Sequence, residues 1–292
     1  MTWFILAFTS AVLSAAASLG EKKSLFKMSA INFSFVLSLF TLFFSIPFFL
    51  SPTFQQPGTT SLIILFCKTL LNSFAFLFVM YSIKNLDISE ALPLMVLTPG
   101  FVAVFAFIFL GESLTLQEIS GVILLLAGTY ILETGSDRGI LGPFKVFFKT
   151  KNYRFVITAL LLFTVTSILD KVLVGQYKVT PHTFVGYQHL FTAIIFLITF
   201  LFSRKNNNDE KLIPEKSLLG LIVVIAIITI GYRYTQIEAV KLAPVALVLS
   251  VKRISVFFAT LVGGKIFKEK NLLKKGIATV VMIAGALLIL EE

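Results

Sequence analysis

The chain has 292 residues, of which 57% are hydrophobic and only 14% charged, with a formal net charge of +10. Soluble domains carry roughly 25% charged residues. The composition therefore excludes a soluble enzyme or a nucleic-acid-binding domain and indicates an integral membrane protein, in which basic excess is first a signal of topology. The lone Cys67 sits in an apolar run and cannot form an internal disulfide; it reads as a small buried hydrophobe and not as part of a metal cluster.

A membrane-crossing helix needs about 20 apolar residues. Ten such stretches follow one another, at 2–20, 31–51, 61–83, 88–110, 116–134, 154–175, 184–203, 217–240, 244–266 and 271–290. The first lacks a basic segment before it and reads as a retained helix, not a cleaved signal. Pro52 and Pro57-Gly58 close the second. Pro93 and Pro99 fall in the fourth, where they free carbonyls and either kink the helix as a gate or bend it permanently. The longest connection, 135–153, alternates basic and aromatic residues from Gly142 to Lys149. That pattern fits an interfacial segment lying on lipid headgroups, or a plain tether.

The chain repeats itself. Moving 157 positions along sets Lys241 against Lys84, Glu269 against Glu112, and Ala284-Gly285 against Ala127-Gly128. The earlier part repeats at an offset of 149, where Asp170-Lys171 meets Glu21-Lys22 and Ser167 meets Ser18. Polar residues falling at corresponding helix ends carry more weight here than matched Leu or Phe. The expected organisation is a first five-helix repeat over 1–134, a linker over 135–153 and a second repeat over 154–292. An odd number of helices per repeat makes the second copy enter the membrane from the opposite side. The expected fold is thus an all-α membrane protein with ten transmembrane helices in two inverted repeats around a central cavity, an architecture recurrent in secondary transporters. Loops after odd-numbered helices hold most of the lysines and arginines, which places them inside and both termini outside.

The run from Leu97-Thr98-Pro99-Gly100-Phe101 to Leu110-Gly111-Glu112, followed by Leu114-Thr115, Gly121 and Ala127-Gly128, resembles the EamA domain of the drug/metabolite transporter superfamily. The second copy, with Lys252-Arg253, Glu269, Gly276 and Ala284-Gly285, is similar to the same domain, and Glu21-Lys22-Lys23 and Asp170-Lys171 look like the family's first-helix endings. The resemblance covers nearly the whole chain. It implies a basket of ten helices whose cavity is lined mainly by helices 3, 4, 8 and 9, and export or exchange of metabolites, amino acids or drugs by alternating access. Many members have cytoplasmic termini, which the loop charge of this chain opposes.

Ionisable groups inside a span cost about 2.5–3.5 kcal/mol each on insertion scales, so they need partners or a wet cavity. The candidates are Lys68 and Asn72 on helix 3, Glu90 on helix 4, Tyr232, Arg233, Tyr234, Gln236 and Glu238 on helix 8, and Lys252 and Arg253 on helix 9. Basic groups outnumber acids, which favours a substrate bearing carboxylate or phosphate. Lys252 and Arg253 point about 100° apart, so one is expected to face the cavity, with Arg253 weighted slightly as the ligand. The structural alternative is that Glu90 or Glu238 pairs with Lys68 or Arg233. Glu90 is either a helix cap or a proton-coupling group; His189 is either a packing residue or a proton acceptor; His182 reads as a solvated loop residue. Glu112 and Glu269 read as helix-end partners of basic groups.

No Gly-x-x-x-x-Gly-Lys loop is present, so ATP is not the direct drive, and no cofactor is implied. The expected function is movement of a small organic molecule, anionic or zwitterionic such as an amino acid, across the cell membrane, with the bilayer and the solute as partners and a proton gradient as one candidate drive. A lipid or lipid-linked sugar flippase is the first alternative, an integral-membrane enzyme the second. The working unit is a monomer or a homodimer.

Overall fold

The computed structural model describes residues 1–85, 97–133, 151–204, 216–255 and 272–290. Ten α-helices and no strands occur among them: α1 Thr2–Leu25, α2 Ala30–Phe49, α3 Thr59–Asn85, α4 Thr98–Leu110, α5 Leu116–Glu133, α6 Lys151–Lys171, α7 Pro181–Arg204, α8 Lys216–Leu242, α9 Val245–Lys252 and α10 Leu272–Leu290. Six are long and apolar enough to cross a membrane, namely α1, α2, α3, α6, α7 and α8; α4, α5 and α10 offer shorter apolar stretches. The chain is a multi-pass membrane protein.

Several helices outrun the apolar windows that announce them. α1 continues through Glu21, Lys22 and Lys23 to Leu25, although hydropathy ends it at Gly20. Lysine and glutamate are good helix formers, and Glu21 is buried, so the charges extend the helix instead of ending it. α2 starts where the Ser29 hydroxyl accepts from Asn32 N–H at 3.3 Å. It ends at Phe49, before Pro52. α7 starts at Pro181, three residues earlier than expected, with Thr180 Oγ1 accepting from Thr183 N–H at 3.3 Å. Pro99 does not kink α4: it lies in the first turn of the described helix, where its missing N–H would have no partner anyway. Residues 86–96, which include Glu90 and Pro93, and residues 256–271, which include Glu269 and Gly263-Gly264, lie outside the described residues, as does the connection 134–150.

At its end α6 widens into a π-helical turn, Val172–Gln176, marked by Tyr177 N–H donating to Val172 O at 3.1 Å. One residue more per turn than an α-helix is stored immediately after Asp170-Lys171, at a position typical of functional sites.

The main helix contacts recur when α1–α5 are exchanged with α6–α10. α1 packs on α8 and, correspondingly, α6 on α3; α2 packs on α7, α4 on α9 and α5 on α10; α2 with α8 answers α7 with α3. α5 and α10 approach each other closely. A Cβ placed on Gly285 would stand 2.7 Å from Gly121 O and 2.8 Å from Leu125 N. The exchanged contact is Gly128, whose Cβ would stand 2.9 Å from Ala278 O and 2.5 Å from Met282 Cγ. Small residues let these backbones meet, as is common between helices in lipid.

Candidate functional site

Four helices carry one buried polar cluster. Lys68 on α3 is fully buried, and its Nζ lies 2.9 Å from Asp170 Oδ1 on α6. It donates to Gln188 Oε1 on α7, also at 2.9 Å. Arg233 on α8 completes the group: Nη2 donates to Asp170 Oδ2 at 2.7 Å and Nε donates to Gln188 Oε1 at 3.0 Å. The ring of Phe184 supports both cations, 4.8 Å from Lys68 Nζ and 5.4 Å from Arg233 Cζ. An aromatic face attracts cations in a dry setting. Two like charges are thus held side by side by one carboxylate, one amide oxygen and one ring, and the trio keeps a net charge of +1. The expected partners were Glu90 or Glu238. For Glu238 the structure differs: it accepts from Tyr234 Oη at 3.1 Å, on the same helix, and Asp170 serves both cations instead.

Beside the cluster lies a cavity of about 280 Å³, close to the lower bound of roughly 300 Å³ for small-molecule pockets. Asn72, Arg233, Gln236, Tyr232, Lys252 and Arg253 line it, as do Asp170 and His189. Lys252 Nζ donates to Gln236 Oε1 at 2.6 Å and stands 4.8 Å over the Tyr232 ring. Both members of the Lys252-Arg253 pair border this one space, which differs from the expectation that only one would. Arg253 is the residue capping the end of α9, so the cavity meets the helix at its terminus, where two long side chains can reach the same space.

Among the described residues, the cavity lining extends to one side of the cluster. Its lining reaches Ser34 and Ser38 near the start of α2, Phe76 on α3 and Phe163 on α6. Past the cluster in the other direction, where α2 ends and α7 begins, the helices close. Phe49 and Phe54 pack around Tyr187, and Gln55 exchanges backbone bonds with the Thr183 hydroxyl at 2.9 and 2.8 Å. Lys171 Nζ lies 3.2 Å from Glu112 Oε1 and donates to Val240 O and Ala243 O at 2.9 and 2.8 Å. Glu112 Oε2 accepts from Val245 N–H at 3.0 Å, capping α9 from the end of α4. Glu112 is thus the helix-end partner of a basic group.

Three residues stand elsewhere than expected. Tyr234 does not border the cavity: it stacks on Phe48 and meets His182 edge-on. Residues two apart on a helix point about 200° away from each other, so Tyr232 and Tyr234 cannot both face one space. His182 is not a loop residue but the second residue of α7, with Nδ1 2.8 Å from Thr53 Oγ1. Cys67 is exposed on the outside of the bundle, not buried, because Lys68 beside it takes the inward direction. Sequence reasoning passed over Asp170 as a site residue because Asp170-Lys171 reads as a first-helix ending, although it falls within the 154–175 window. The repeat matches Asp170-Lys171 to Glu21-Lys22, and that match was the usable signal.

A model described as the EamA-like transporter family matches residues 1–134 and 151–291. No curated protein matches the chain. A solved crystal structure of a protein is similar in fold with a TM-score of 0.75, at 17% identity, over 98% of this chain and 96% of that one.

Proposed function

Since the chain belongs to the EamA-like transporter family, whose members are membrane transporters and not enzymes, we propose that it is a secondary transporter for a small organic anion or zwitterion. Two inverted five-helix halves, 1–134 and 154–292, alternate the access of one cavity between the two sides of the membrane. The exchange-symmetric packing supports this reading, because two equivalent halves can trade conformations at similar energy. The observation that carries the substrate charge is the row of cations at one cavity, Arg233, Lys252 and Arg253, of which Arg233 shares a single carboxylate with Lys68. Lys252 supplies a point charge; the arginines supply planar paired donors that match a carboxylate or phosphate. Asn72, Tyr232 and Gln236 orient the bound solute. Glu90 is the candidate for proton coupling, and both termini lie outside.

Uptake of labelled organic acids and amino acids into proteoliposomes tests the proposal. Lys252→Gln should lower uptake at least tenfold while leaving the helical circular-dichroism signal unchanged. Full uptake by that variant would remove Lys252 from the site. Flux driven by an imposed proton gradient and left unaltered in Glu90→Gln would remove Glu90 from the coupling.

A further inference from the structure

Buried polar atoms almost always find a partner inside a protein. Here Ser34 Oγ on α2 and His189 Nε2 on α7 have none, although Ser34 is 1% and His189 4% exposed, and both border the cavity. The hydroxyls around them are half-used. Ser38 donates to Phe35 O at 2.7 Å and Thr41 to Ser38 O at 3.0 Å. A hydroxyl has one proton and two lone pairs. Having given the proton to its own helix, each presents only acceptors to the cavity. From α9 comes the opposite character: Lys252, a donor whose bond goes to a neutral amide, with no carboxylate at ion-pair distance among the described residues.

We propose that this cavity selects small organic carboxylates, anionic or zwitterionic, that also carry hydrogen-bond donors, as hydroxyl or ammonium groups. Lys252 takes the anionic end; Ser38, Thr41 and His189 read the donors. His189 Nε2 accepts when the ring proton is on Nδ1. An anion without donors leaves the free lone pairs of Ser38, Thr41 and His189 without partners. Sites built to bond a substrate hydroxyl reject the analogue lacking it far more strongly than apolar pockets reject a missing methylene. The inference rests on the anionic-solute reading above and narrows it.

The test is a thermal-shift titration of the detergent-purified full chain with five three-carbon carboxylates. Propionate has no added donor group, lactate and alanine have one, glycerate and serine two. Affinity should tighten about tenfold per donor group. The Ser38→Ala, Thr41→Val double variant should flatten the series while still binding propionate. Equal affinity for all five overturns the donor reading and leaves the anion reading standing. Binding of none of them overturns the anion reading, and this proposal with it. If the double variant does not fold, the five-probe series on the native chain decides alone.

Discussion

Replacing Asp170 by asparagine keeps the side chain's shape and removes its charge. The trio of Asp170, Lys68 and Arg233 then rises from +1 to +2. Lys68 has no solvent access and the Arg233 side chain is only 10% exposed, so little water reaches either cation. Breaking a buried pair by removing one partner costs about 3–5 kcal/mol. At roughly 2–4 °C per kcal/mol for a chain of about this size, the melting midpoint should fall by about 6–20 °C. Lys68→Met should cost much less, because it leaves Asp170 and Arg233 as a neutral pair bonded at 2.7 Å. Adding Lys68→Met to Asp170→Asn should recover part of the loss, since one uncompensated cation replaces two. Circular-dichroism melts of the four proteins in one detergent measure the whole cycle. The reasoning is refuted if Asp170→Asn melts within about 2 °C of the native protein, or if Lys68→Met is the more damaging single change.

Gly285→Ala should destabilise more than Gly128→Ala in the same melts. The new methyl at Gly285 meets backbone atoms at 2.7 and 2.8 Å, whereas at Gly128 the backbone atoms stand slightly farther off, at 2.9 and 3.0 Å. Overpacking of this kind costs about 1–3 kcal/mol, and the reverse order would mean that α10 shifts freely over α5. Glu112→Ala removes the acceptor for Val245 N–H and the partner of Lys171. Hydrogen exchange should rise at Val245, and unchanged protection there would show that the cap is dispensable. Tyr234→Phe keeps the stack on Phe48 and loses the bond to Glu238. Uptake should be unaltered; a large loss would return Tyr234 to the binding site.

How far the sequence could be read depends on which physical signal each feature uses. Lys68 and Arg233 stood out because a charge in an apolar window is costly and conspicuous. Asp170 did not, because an acid followed directly by Lys171 looks like a helix ending, and nothing local shows the π turn that follows. Helix existence followed from hydropathy, while helix ends followed from capping and burial, as Glu21 in α1 and Thr180 before α7 illustrate. Partner choice was the least legible. That Lys68 takes Asp170, and Glu238 takes Tyr234, depends on how four helices sit against one another. Tyr234 and Cys67 were misjudged for a simpler reason: helical rotation sends neighbouring side chains to different surroundings, and run-based reading averages over that rotation.

The bond that closes the blind end of the cavity joins different parts of the chain. Glu112 comes from the first half, while Lys171, Ala243 and Val245 come from the second. In the proposed alternating cycle, parting the halves at that mouth separates opposite charges whose side chains are 19% and 14% exposed. Ions on that side of the bilayer weaken such an attraction over a distance of about 8 Å at physiological strength. The salt facing that mouth thus becomes a dial on how often it unlocks, separate from anything the solute does.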